Sequence, residues 1–266
     1  DLLTNTLGWG MDFTDFSATP LSRRWAELGL GDGPPGPAEQ LPPDEWLARA
    51  GTLPLQYQPG QRWLYNTSSV VLGFLIARAA GRSLAEFLAE RIFEPLGMVD
   101  TGFWVPAEKL SRFGPCYGEG EEIYDPADGQ WSAPRPYEGG DGGLVSTVAD
   151  YARFAKLLQG RGSVDGRVLL PAELVHAMVT NRLSAAQLRV SRPDPGSGWG
   201  FGLSVLLTAA ENGPGAGSYG WAGGLGSTWT NDPATCRTGV LLTNQMWTSP
   251  EPPPVVTTFE ELLGRR

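Results

Sequence analysis

Three apolar, strand-like runs stand so close together in the last third of this chain that only antiparallel pairing can join them. They are Trp199–Leu207, Tyr219–Thr230 and Arg237–Met246, separated by the turn-rich stretches ENGPGAG (211–217) and NDPAT (231–235). A parallel crossover takes a dozen or more residues and usually a helix, and neither gap offers one. The chain is therefore expected to end in an antiparallel sheet of three strands, closed by a helix over Thr257–Leu263.

What precedes that sheet reads as helix and loop. The first sixty residues are loop-rich, and Gly31–Pro43 (GDGPPGPAEQLPP) holds too much Gly and Pro to be a packed element. A short helix signal follows at Asp44–Arg49. Val70, Val71, Leu72, Phe74, Leu75, Ile76 and Ala79 then form a run too apolar for a surface helix. Gly81 closes it as a residue just past a helix end would. Ser83 and Glu86 match a capping box, and the helix they open is expected to stop before Pro95. Thr147 and Asp150 suggest a second capping box, opening a helix through Phe154 and Leu158. Pro171 opens another, which carries the lone His176 as a packing residue. Helices first, then an antiparallel sheet, then one helix make an α+β arrangement. We read 1–266 as one incomplete domain, with 1–190 mainly helix and loop and 197–266 strands and the closing helix.

Composition narrows the function classes. Twenty basic residues against 29 acidic ones leave a net charge of −9, the wrong sign for tracking phosphates, so no nucleic-acid partner is expected. One His argues against a Ser-His-Asp triad and against a His-rich metal site, and no metal is expected. Cys116 and Cys236 match no metal-ligand spacing, and whether they pair is left open. No run approaches the ~18 apolar residues of a membrane span. No signal peptide is visible at the Asp1 start, which favours the cytoplasm but leaves the compartment open, as it does the oligomeric state.

Several motif matches dissolve in context. Gly215–Gly220 fits G-x-G-x-x-G by letter, but Trp221-Ala222-Gly223-Gly224 follows where a dinucleotide site needs a helix, so it reads as a glycine-rich turn. No G-x-S-x-G elbow occurs. Asn66-Thr67-Ser68 is a formal glycosylation sequon at a helix start heading into a core. The carboxylates are scattered with no pair placed on one face.

Four segments, in order, resemble one family. Leu2-Leu3-Thr4-Asn5-Thr6-Leu7-Gly8 is similar to the "LLTHTSG" stretch of serine β-lactamase-like and penicillin-binding-protein-like hydrolases, the group of class C β-lactamases, D-Ala-D-Ala carboxypeptidases and related esterases. Pro59-Gly60, Tyr65-Asn66-Thr67, Leu72-Gly73, Arg91–Met98 and Thr101-Gly102-Phe103 resemble the family's second motif and the helices behind it. Gly142–Thr147 (GGLVST) looks like its "GGL-ST" loop. Gly220-Trp221-Ala222-Gly223-Gly224 resembles its third motif, on a strand.

The resemblance implies a β-lactamase-like fold and nucleophilic acyl transfer on a small-molecule ester or amide, with no cofactor. Tyr65 would be catalytic: a phenol beside the nucleophile, its pKa lowered by a cationic neighbour, can pass protons. Thr67, Trp221, Gly223 and Gly224 would bind substrate. Glycines let a substrate approach the strand, and the Gly224 N–H would form half an oxyanion hole. The bland readings are a Tyr that ends a packed helix and glycines that curve a sheet.

Two departures matter. Tyr65-Asn66-Thr67 stands where many relatives have Tyr-Ser-Asn, and Thr67 lacks the two-sided amide that grips a β-lactam side chain. Trp221 stands where a cation would attract a substrate carboxylate. Both shift the expected substrate from β-lactams to esters or small amides. The larger departure is the first motif. Ser-x-x-Lys does not occur: residues three before Lys109 and Lys156 are Pro106 and Arg153. We expect the chain to be the C-terminal two-thirds of a larger hydrolase, unless the parent gene is itself truncated, and to be inert alone. A non-catalytic binding or scaffold module and a carboxylate-dependent hydrolase of another class stay open as alternatives.

Overall fold

The first core forms where three tryptophan-bearing or apolar helices meet. The computed structural model describes residues 1–31, 36, 40–120, 122–136, 138–191, 196–249 and 251–265, so most of the Gly31–Pro43 stretch lies outside the described residues. Helix α1 (Pro20–Glu27) starts on Thr19, whose hydroxyl accepts the Ser22 N–H at 3.0 Å, and α2 (Pro43–Ala50) contains the Asp44–Arg49 signal. The apolar run is α3 (Thr67–Ala80). Trp46 stands edge-on to Trp25 at 5.7 Å and to Phe74 at 5.6 Å. These rings, with Leu30, Ala50 and Val70, give α3 the cover its composition demands.

The caps read from sequence are in place, with two corrections. Gly81 ends α3 at φ 64, and Ser83 and Glu86 exchange both bonds of a capping box at the start of α4 (Leu84–Leu88). The helix does not stop before Pro95. A π-helical turn at Ala89–Phe93 carries it into α5 (Glu94–Leu96), so that Pro95 sits inside the continued helix. A small hairpin follows, β1 (Cys116–Tyr117) with β2 (Ile123–Asp125). At α6 (Val148–Gln159) only half of the second expected box forms. Thr147 accepts the Asp150 N–H at 3.2 Å, but the buried Asp150 carboxylate turns away, taking the Asp100 N–H at 2.7 Å and the Thr101 hydroxyl at 3.0 Å.

A second hairpin, β3 (Ser163–Val164) with β4 (Arg167–Val168), leads to α7 (Ala172–Met178) and α8 (Ala185–Val190). His176 is exposed and does not pack. Val175 takes the inward position instead, one residue and about 100° around the helix. Cys116 and Cys236 are both free thiols.

The sheet has five strands in place of the expected three. They are β5 (Ser197–Trp199), β6 (Ser204–Leu206), β7 (Tyr219–Gly223), β8 (Ser227–Asp232) and β9 (Arg237–Leu242), hydrogen-bonded in sequence order and antiparallel throughout. Two of the apolar runs each fold back on themselves. One turns through Gly200–Gly202 and the other through Gly224–Gly226, with φ 75 at Gly202 and 101 at Gly226, values that glycine reaches at least cost. Ala155 and Leu158 of α6 pack on Val205, Tyr219 and Trp229. Helix α9 (Pro254–Gly264) lies against β9, where its Phe259 faces Gly239. Val240, the next residue, joins the α6 side, so the two helices cover opposite faces.

Candidate active site

Tyr65 is anchored by its backbone before its side chain does anything. Its N–H donates to the Met11 carbonyl at 2.8 Å, and its carbonyl accepts the Met11 N–H at 2.9 Å. The ring then reaches the sheet. Trp221 on β7 donates its indole N–H to the Tyr65 oxygen at 2.7 Å. Phe13, Trp63 and Trp199 complete an aromatic cluster in which Trp199 meets Trp221 edge-on at 4.8 Å. The second and third motifs thus touch.

Beside them is a cavity of about 170 Å³, lined by Leu2, Leu3, Asn5, Tyr65, Asn66, Ser69, Asp141, Trp199, Phe201 and Trp221, among others. Asn66 sits at φ 80 and ψ −66, and the Thr67 N–H donates to the Tyr65 carbonyl at 3.1 Å. That is a γ-turn of the rare, strained kind, a conformation that costs on the order of 1–3 kcal/mol. The turn leads directly into α3. Asn66 donates its amide Nδ2 to the Asp141 carboxylate at 3.2 Å. Asp141 is carried by a glycine-rich loop that presses on α3: a Cβ on Gly140 would stand 2.9 Å from the Gly73 Cα. Gly73 of the "Leu-Gly" pair therefore makes room for Gly140, in the stretch that leads into the "GGL-ST" loop.

The electrostatics differ from the expectation at one point. Burial raises the Tyr65 phenol above its usual pKa, the Trp221 N–H works against that, and the Asp141 charge adds to the rise. No cation contributes to that shift. Lys109 pairs with Asp100 at 2.9 Å, and Lys156 is exposed on α6. Burial likewise raises Asp141, opposed by its own backbone N–H, Asn66 and Arg135.

Not every expected residue lines the cavity. Trp221 does. Thr67 is buried at the start of α3, and Asn66 presents its side chain where Thr67 was expected to. Gly223 ends β7 and Gly224 lies in the turn after it, both outside the lining. Asn66, Asp141 and Asn5 were not singled out from sequence. The glycines flanking Asp141 were the one visible signal, since five residues that hold four glycines must pass close to something. Gly215–Gly220 leads into β7 rather than a helix. Among the described residues no group of three or more His, Cys, Asp or Glu is placed to hold a metal ion, and no helix is long and apolar enough to cross a membrane.

The chain is similar to several known proteins. Protein Rv1367c of Mycobacterium tuberculosis is 36% identical over 246 residues, which is 88% of this chain and 59% of that protein. Esterase EstB of Burkholderia gladioli is 29% identical over 288 residues, 99% of this chain and 69% of the esterase. The chain thus spans about three-fifths to two-thirds of the length of these relatives. The solved structure of EstCE1, a hydrolase with promiscuous acyltransferase activity, superposes with a TM-score of 0.75 over 92% of this chain and 66% of that one, at 22% identity, a likeness of fold. The family model described as Beta-lactamase matches residues 1–254, and the chain belongs to the β-lactamase family.

Proposed function

We propose that this chain carries the tyrosine and third-motif part of a serine acyl-transfer site that hydrolyses esters or small neutral amides. The observation that carries the reading is the hydrogen bond between Trp221 and Tyr65 at the edge of a cavity, because it puts the two motifs where one substrate can meet both. The esterase name among the relatives supports the same class.

The roles follow from the chemistry of each group. A serine oxygen attacks the carbonyl carbon as its proton passes to the lysine of Ser-x-x-Lys, and the C–O or C–N bond to the leaving group breaks. Water then hydrolyses the acyl-enzyme, the lysine returning the proton to the serine oxygen as that ester bond breaks. Tyr65, a neutral phenol in this surrounding, gives its proton to the departing oxygen or nitrogen, and regains one from the attacking water. A cation beside it would ease the phenolate stage. Asn66 presents its amide to the acyl group, with Thr67 buried behind it. Trp221 forms a wall where a cation would have drawn in a carboxylate, which favours uncharged substrates. The glycines at the end of β7 leave the strand open to the acyl chain, and the Gly224 N–H is the donor assigned to the developing oxyanion.

The reaction needs a Ser-x-x-Lys serine, which the 266 residues do not contain. The test is therefore labelling by a fluorophosphonate, together with aryl-ester turnover, in a protein that carries this chain and such a serine. Labelling at that serine, with turnover lost in Tyr65→Phe, supports the reading. A protein that binds esters and never forms the covalent adduct overturns it.

A further inference from the structure

Asn66 occupies a conformation that its own chemistry does not explain. At φ 80 and ψ −66 it closes a γ-turn between Tyr65 and the first residue of α3. The Tyr65 carbonyl accepts the Met11 N–H at 2.9 Å and the Thr67 N–H at 3.1 Å, one on each lone pair, and the γ-turn bond is the longer of the two. The Asn66 carbonyl accepts the Ser69 N–H at 2.8 Å where α3 begins, and the tie from outside is Asn66 Nδ2 to Asp141 Oδ2 at 3.2 Å, across 75 positions of chain. Asp141 is a good anchor because its loop cannot drift. Gly140 lies against Gly73 and the Ser69 carbonyl with no space for a methyl group. If the turn relaxed, the Tyr65 carbonyl would turn away from the Met11 N–H, the pairing that sets the direction of the ring would loosen, and the phenol would leave Trp221.

We propose that Asp141 is a positioning residue: through Asn66 it holds the strained turn that keeps the Tyr65 phenol on the Trp221 indole and at the cavity. Its importance for turnover rests on the proton-transfer role given to Tyr65 above, while the positioning itself does not. Asp141 acts here as a hydrogen-bond acceptor, so an asparagine oxygen in the same place does the same work. Glycine at position 66 would reach φ 80 without help, so the anchor becomes dispensable there.

The test reads the Tyr65–Trp221 bond directly, in the 266-residue chain, as hydrogen exchange of the Trp221 indole N–H followed by nitrogen-edited NMR and assigned with Trp221→Phe. Asp141→Ala is expected to speed that exchange about tenfold or more, and Asp141→Asn to leave it within about twofold. In an Asn66→Gly background, Asp141→Ala is expected to change it less than about twofold, since the path through Asn66 has been bypassed. Backbone exchange in β8 reports whether the fold itself survives. Unchanged exchange in Asp141→Ala overturns the proposal, and so does an equal acceleration in both backgrounds. Should Asp141→Ala fail to fold, the Asn66→Gly, Asp141→Ala pair is expected to fold, and its failure to do so also overturns the proposal. None of these readings involves turnover, so a failure of the acyl-transfer role leaves them standing, and the reverse holds as well.

Discussion

The indole N–H of Trp221 donates to the phenolic oxygen of Tyr65 over 2.7 Å, linking positions 156 residues apart. One lies on strand β7, the other just ahead of α3, so the bond fastens the sheet to the helical region at the cavity. It also orients the phenol. An oxygen that accepts from Trp221 has its own O–H left to donate, and the cavity is beside it.

Tyr65→Phe tests both sides of this relationship. Loss of the oxygen leaves a part-buried indole N–H unpaired, which is expected to cost about 1–3 kcal/mol, seen as a lower Tm in scanning calorimetry. In a protein that also carries the Ser-x-x-Lys serine, aryl-ester hydrolysis is expected to fall on the order of 10²–10⁴-fold. Retention of more than about a third of the rate would remove Tyr65 from the mechanism.

Gly223→Val separates a substrate path from a structural glycine. A Cβ there would stand 2.7 Å from the Ser227 Oγ, a short side chain that can rotate away, and a β-branched residue suits a strand. The fold is expected to survive with a small change in Tm, while turnover collapses in a protein that also carries the Ser-x-x-Lys serine. A drop of many degrees, with activity per folded molecule preserved, would make the glycine structural.

The 266-residue chain by itself is expected to be inert toward fluorophosphonate and penicillin probes. It lacks Ser-x-x-Lys, and with that serine would go its backbone N–H as an oxyanion donor, each such donor being worth about 10²–10³-fold. Intact-mass spectrometry after probe treatment checks this. A stoichiometric adduct mapped to any of its serines would contradict it.

Asp100 supplies a pH-dependent prediction away from the site. Hydrogen bonds from Arg112, at 2.6 Å, and from Lys109 hold its carboxyl at about 2, below the usual 3.8. A value lowered in the folded state means that Asp100 contributes stability above the unfolded value, and that the contribution is lost as pH falls from 3.8 through about 2. The difference in urea midpoint between the native chain and Asp100→Asn is therefore expected to be flat above about pH 5 and to close below about pH 4. A difference that stays constant down to about pH 2 would show that Asp100 titrates normally.

The sequence by itself determined what is local. Gly81, the Ser83–Glu86 box and the Asp44–Arg49 signal are decided within a few residues, and so is the antiparallel sense of a sheet whose connections are too short to cross over. The order of the motifs named the family for the same reason, being a property of the string. Tertiary structure decided the rest. An apolar run hides a turn when its glycine can serve either a strand or a bend, so two runs became four strands at Gly200–Gly202 and Gly224–Gly226. Pro95 stays helical because the π turn before it shifts the bonding register. Which of Asn66 and Thr67 faces the cavity turns on one backbone angle, and that angle is set against Asp141, 75 residues further along. A helix cap is decided by neighbours in sequence, whereas this site is decided by neighbours in space, and only the folded chain brings those together.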